Sequence, residues 1–133
     1  MKTPSAYRFF IASLSYLVLG LLAQAVTIFD GWLGFNPLAY TAVATAQQLL
    51  LVGWLTQLGM ALVYDRRAGG SDSPARAAFV LFNVGLPLAI LGQPGLAAVG
   101  SAWLGAVAAF GGLLQLFGGL VFVYSVWKNL KLT

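Results

Sequence analysis

Four long apolar stretches, each bounded by turn signals, set the pattern of the chain. The first follows Thr3-Pro4, a capping hydroxyl with proline at the first helical position, and runs to Phe29. Asp30-Gly31 is expected to break it, with Trp32 and Phe35 suited to a membrane interface. Asn36-Pro37 repeats the cap-plus-proline signal and opens the second stretch. Between the second and third lies DRRAGGSDSP, Asp65 to Pro74, the one clearly solvated loop. Ser73-Pro74 opens the third stretch, and Gln93-Pro94-Gly95 is expected to turn the chain into the fourth. The predicted spans are about 5–29, 37–64, 75–93 and 101–129, and a membrane crossing needs about 20 apolar residues. The second is longer than an upright crossing needs, so it tilts or projects into water. The first is also too long for the apolar core of a signal peptide.

Composition agrees with lipid as the solvent. The chain is 60% hydrophobic and 8% charged, with mean hydropathy +0.89, whereas a soluble domain carries about 25% charged residues. The expected fold is therefore all-α, an integral membrane four-helix bundle forming a single transmembrane domain over residues 1–133. Charge then orients it. Lys2 and Arg8, then Arg66, Arg67 and Arg76, then Lys128 and Lys131 all fall on one side if there are four crossings. The positive-inside rule places both termini and the central loop in the cytoplasm, and so the chain in the cell inner (cytoplasmic) membrane. A basic face there is suited to anionic lipid rather than to nucleic acid.

The polar residues inside the spans fall into stripes. Thr41, Thr45, Gln48, Val52, Thr56 and Gly59 follow helical steps on the second span, with Gln57 on the flank beside Gly53 and Met60. Gly111, Gln115, Gly118 and Phe122 form a comparable row on the fourth. The first span offers Ala12, Tyr16, Gly20 and Gln24, and the third Asn83 and Pro87. Two readings stay open. In one, small residues let helices approach and the amides bond between helices. In the other, Gln48, Gln57, Asn83 and Gln115 line a polar pocket for a quinone or a lipid headgroup. No acidic or basic residue lies mid-span, which argues against a proton- or ion-coupled path.

Reactive groups are few. The chain has no cysteine, histidine or glutamate, and its acids are Asp30, Asp65 and Asp72, all in or beside predicted loops. Serine nucleophiles lack an imidazole partner, and no phosphate-cradling glycine motif is present. The expectation is a protein without enzymatic activity, cofactor or metal site.

The stretch TAQQLLLVGWLTQLGMALVYD, Thr45 to Asp65, resembles part of a haem–copper oxidase catalytic subunit, in the branch of the nitric-oxide reductases and cbb-type oxidases. Leu49, Leu50, Leu51, Val52, Gly53 and Trp54 match the family's leucine run and Gly-Trp pair, and the end from Gly118 to Leu130 is similar to another helix end of that family. Ala46 and Gln48 stand where the family would place histidines. The resemblance thus implies the helical scaffold and a respiratory-membrane setting, without haem or copper ligands. The function expected is a non-catalytic accessory subunit of a respiratory, oxidase-type complex, with larger membrane subunits and membrane lipids or quinone as partners. The alternative is an independent quinone-, lipid- or small-molecule-binding bundle or carrier.

The charge pattern makes a direct prediction. Reporters fused after Thr133 and inserted in the loop between Asp65 and Pro74 should both read cytoplasmic. Opposite sides for these two reporters would refute the four-crossing topology.

Overall fold

The structure, a computed structural model, describes residues 3–34, 39–66 and 72–130. Lys2, Arg67, Lys131 and the Asn36-Pro37 cap lie outside the described residues. The described chain is helical: α1 (Pro4–Leu33), α2 (Ala39–Gln48), a π-helix (Leu49–Thr56), α3 (Gln57–Asp65), α4 (Ser73–Val99) and α5 (Ala102–Leu130). α2, the π-helix and α3 form one continuous rod, so there are four helical segments long and apolar enough to cross a membrane.

The ends follow from local chemistry. The Thr3 side chain accepts from the Ala6 N–H at 3.2 Å, with Pro4 behind it, as the cap signal predicts. α1 does not stop at Asp30-Gly31. It continues to Leu33 and ends where Gly34 takes φ 62°, its N–H bonded to the Asp30 carbonyl at 2.6 Å. α4 begins at Ser73, with the Arg76 N–H bonded to the Asp72 carbonyl at 3.0 Å. The expected turn at Gln93-Pro94-Gly95 is absent. α4 runs through it to Val99, and the chain reverses at Gly100, φ 65°. Proline's fixed φ is itself helical, and α4 is packed closely on α5 up to the residue before this point. A Cβ on Gly92 would stand 2.6 Å from the Ala108 nitrogen and 2.7 Å from the Leu104 carbonyl oxygen.

The segments pair as two antiparallel hairpins, α1 with the α2–π–α3 rod and α4 with α5. Small residues seal each one. A Cβ on Gly111 would lie 2.5 Å from the Ala89 nitrogen and 2.6 Å from the Gly85 carbonyl oxygen, so α4 and α5 meet backbone to backbone. In the other hairpin Gly20 lies under Leu49 and Leu50, and Gly53 under Tyr16. Between the hairpins the contacts are made by side chains. Phe9 of α1 meets Phe79 of α4 edge to face at 5.2 Å, and Tyr64 of α3 meets Phe122 of α5 at 5.5 Å. The buried cluster of Ala6, Phe9, Met60, Ala61, Tyr64, Ala75, Ala78 and Phe82 sits at the end of the bundle that carries Arg8, Arg66, Arg76 and Lys128. Toward the other end the outer faces are uncovered, with Leu21, Leu22, Val26, Ile28, Phe29 and Leu33 exposed on α1. Such a surface suits hydrocarbon and would be an aggregation hazard in water.

The adjacent glycines of α5 provide a matched test. Gly111→Ala would drive a methyl into the α4 backbone and should destabilise the protein by about 1–3 kcal/mol. Gly112, with nothing within 4 Å of its Cβ position, should tolerate alanine and gain up to about 1 kcal/mol of helix propensity. Thermal unfolding of both variants in detergent measures the difference. Equal effects would contradict the backbone contact.

Candidate functional site

The second rod departs from the stripe expected for it. Its buried positions are Ala46, Leu49, Gly53, Gln57, Met60, Ala61 and Tyr64. Thr56 and Gly59, placed on the principal polar face by a uniform helical period, are exposed, and the flank of Gly53, Gln57 and Met60 faces inward. The buried row keeps three- and four-residue steps from Ala46 to Tyr64, so the inward face is the expected stripe displaced by one position, from Ala46 onward. The Thr56 hydroxyl donates to the Leu51 carbonyl five residues back, at 2.8 Å, within the π-helix.

Gln57, on the inward row, is 0% exposed. It forms a reciprocal amide pair with Asn83 of α4: Nε2 donates to Asn83 Oδ1 at 3.4 Å, and Asn83 Nδ2 donates to Gln57 Oε1 at 3.1 Å. Asn83 Nδ2 also donates to the Phe79 carbonyl at 2.9 Å. The two amides therefore serve each other across the seam between hairpins. Gln48 and Gln115 do not share in this pair. Gln48 is half-buried, and its Oε1 is buried without a hydrogen-bond partner. Gln115 is half-buried on α5, its backbone nitrogen 3.0 Å from a Cβ position on Gly85. The four amides proposed as one pocket are thus divided, with two joined as a strut and two placed elsewhere.

A second polar strut was not signalled by the amide residues. The Tyr64 hydroxyl lies 3.1 Å from Ser125 Oγ of α5. Ser125 donates its proton to the Phe122 carbonyl at 2.7 Å, so the tyrosine is the donor between them. Spacing could have shown it. Tyr64 lies seven residues beyond Gln57, and Ser125 seven beyond Gly118, so each extends an inward row by two turns. Tyr64 also stacks on Phe9 at 5.6 Å, and the Thr3 hydroxyl donates to its carbonyl at 3.5 Å. Tyr124 of α5 plays no such part: it is 66% exposed, against 7% for Tyr64.

Other hydroxyls are satisfied within their own helices. Ser13, Ser15 and Thr27 donate to the carbonyls of Phe10, Ile11 and Ala23 at 2.7, 3.1 and 2.9 Å. Ser5 is an exception: it is 2% exposed and its Oγ has no partner. Asp30 is buried in the last turn of α1, rather than lying in a loop. Among the described residues no group of three or more acids, histidines or cysteines could hold a metal ion.

Among the described residues, three apolar grooves are prominent at the basic end. One, about 600 Å³, is lined by Leu120, Val123, Tyr124, Trp127 and Lys128 of α5. Another, about 240 Å³, lies between α3 and α5 at Val63, Phe122, Val126 and Trp127. The third, about 320 Å³, lies between α1 and α4, bounded by Tyr7, Arg8, Ile11, Ala12 and Phe79. Of the basic residues expected on this face, Arg66, Arg76 and Lys128 are described, while Arg67 and Lys131 are not.

Comparison of the chain with protein-family models, characterised proteins and solved structures gives no match. The resemblance to oxidase subunits is carried by the residues from Thr45 to Asp65 and the α5 end alone. Ala46 is fully buried.

The amide pair can be tested by a double-mutant cycle. Gln57→Leu should destabilise by about 1–3 kcal/mol, because Asn83 is left with unpaired polar atoms. Adding Asn83→Leu should recover part of that loss, giving a coupling of about 0.5–2 kcal/mol between the sites. Strictly additive losses in detergent unfolding would show that the two amides do not support each other.

Proposed function

We propose that this chain spans the cytoplasmic membrane four times, with both termini inside, as a structural subunit without catalytic chemistry that packs against a larger membrane protein. The observation that carries the reading is the use made of its polar groups. Gln57 with Asn83, and Tyr64 with Ser125, bond across the hairpin seam. They act as internal struts, bonding helix to helix rather than lining a cavity. The uncovered side of α1 and the outer face of α5, where Gly112 and Gly119 have open space, supply apolar area for a neighbouring helix. A respiratory oxidase-type partner is the setting implied by the Thr45–Asp65 stretch.

A second reading, a lipid- or quinone-binding bundle, is favoured by the apolar grooves beside Arg8 and Lys128. The two readings differ in what accompanies the chain. Affinity purification from native membranes in mild detergent should recover a stoichiometric larger subunit, with haem absorbance belonging to that subunit. A lone chain carrying only lipid or quinone would refute the subunit reading and favour the second.

A further inference from the structure

The α1–α4 groove joins the two hairpins and has an arginine, Arg8, in its lining. Its floor is apolar, made by Ile11, Ala12 and Phe79, and Tyr7 and Arg8 form its α1 wall. Arg76 lies three residues before Phe79 on α4, on the same face and one turn nearer the basic end. Arg8 and Arg76 are both exposed. On α1, Ser5 lies seven residues before Ala12 on the same side, with its buried hydroxyl unpartnered. One guanidinium in the lining of an apolar groove, Arg8, with a second arginine, Arg76, one helical turn from Phe79 toward the helix ends, complements a phosphate ester with acyl chains below it. Arginine's planar fork matches phosphate oxygens, and basic pockets between spanning helices suit anionic headgroups.

We propose that this groove is a binding site for one anionic phospholipid, its phosphate held between Arg8 and Arg76 and an acyl chain lying along Ile11, Ala12 and Phe79. The lipid then staples α1 to α4, adding a headgroup-dependent link to the seam otherwise joined by Phe9–Phe79 and the two polar struts. The proposal rests on the four-crossing membrane reading and deepens its lipid arm. It needs no covalent step.

The test uses the full chain in mild detergent, with native mass spectrometry after addition of phosphatidylglycerol or phosphatidylcholine. The wild-type chain should retain phosphatidylglycerol at least about tenfold better than phosphatidylcholine. Arg8→Gln with Arg76→Gln should abolish that preference, while Lys128→Gln keeps it. Equal retention of both lipids by the wild-type chain, which needs no variant to fold, overturns the proposal. So does loss of the preference in Lys128→Gln alone, which would move the site to α5. Displacement of the lipid by inorganic phosphate at matched concentration would show a simple phosphate site and also overturn it. Recovery of the chain in the soluble fraction without detergent is a separate result, and it would refute the membrane reading itself.

Discussion

In hydrocarbon the hydrophobic effect gives two apolar helices no reason to associate, so their pairing depends on close packing and on polar bonds that lipid cannot supply. This chain uses the two devices in different places. Within each hairpin, glycine lets one helix settle against the other: Gly85, Gly92 and Gly111 between α4 and α5, and Gly20 and Gly53 between α1 and the second rod. Between hairpins, the reach is longer and the contacts include Gln57–Asn83, Tyr64–Ser125 and the ring pairs Phe9–Phe79 and Tyr64–Phe122. The order follows from geometry. Backbone contact requires many small residues along a shared line, whereas a strut needs one matched pair.

The two ends of the bundle therefore differ. The buried aromatic cluster, the Tyr64 strut and the described basic residues concentrate at one end. At the other, α1 exposes a run of large apolar side chains. A bundle closed at its basic end and uncovered elsewhere suits a subunit whose remaining surface is completed by a neighbour or by lipid. Gln57 lies on the inward row that runs from Ala46 to Tyr64, which places its amide at the seam opposite Asn83.

Much of the architecture was legible in the sequence. The apolar runs, the Thr3-Pro4 cap and the solvated loop from Asp65 located the segments, because helix ends and lipid-compatible lengths are local properties. The row of Gly111 and Gly118 was also readable as a packing face. The inward face of the second rod was not, since it is not the row richest in polar side chains: Ala46, Leu49, Gly53 and Met60 share it with Gln57 and Tyr64. The break expected at Gln93-Pro94-Gly95 is absent as well: proline's fixed φ is compatible with a helix, and α4 is already packed closely on α5 at Gly92. Of the four candidate amides, Gln57 and Asn83 came together, while Gln48 and Gln115 did not, because helix rotation and inter-hairpin placement decide which rows meet.

The absence of cysteine from the chain makes site-directed spin labels clean reporters of this hierarchy. One pair would lie within a hairpin, at the exposed positions Val80 of α4 and Leu120 of α5, and the other across the seam, at Leu62 of α3 and Val123 of α5. Pulsed electron-paramagnetic-resonance distances would be followed as detergent is made progressively harsher. The account predicts that the Leu62–Val123 distribution broadens first, while Val80–Leu120 stays narrow until the helices themselves melt. Simultaneous broadening of both, or earlier loss of the Val80–Leu120 distance, would contradict it.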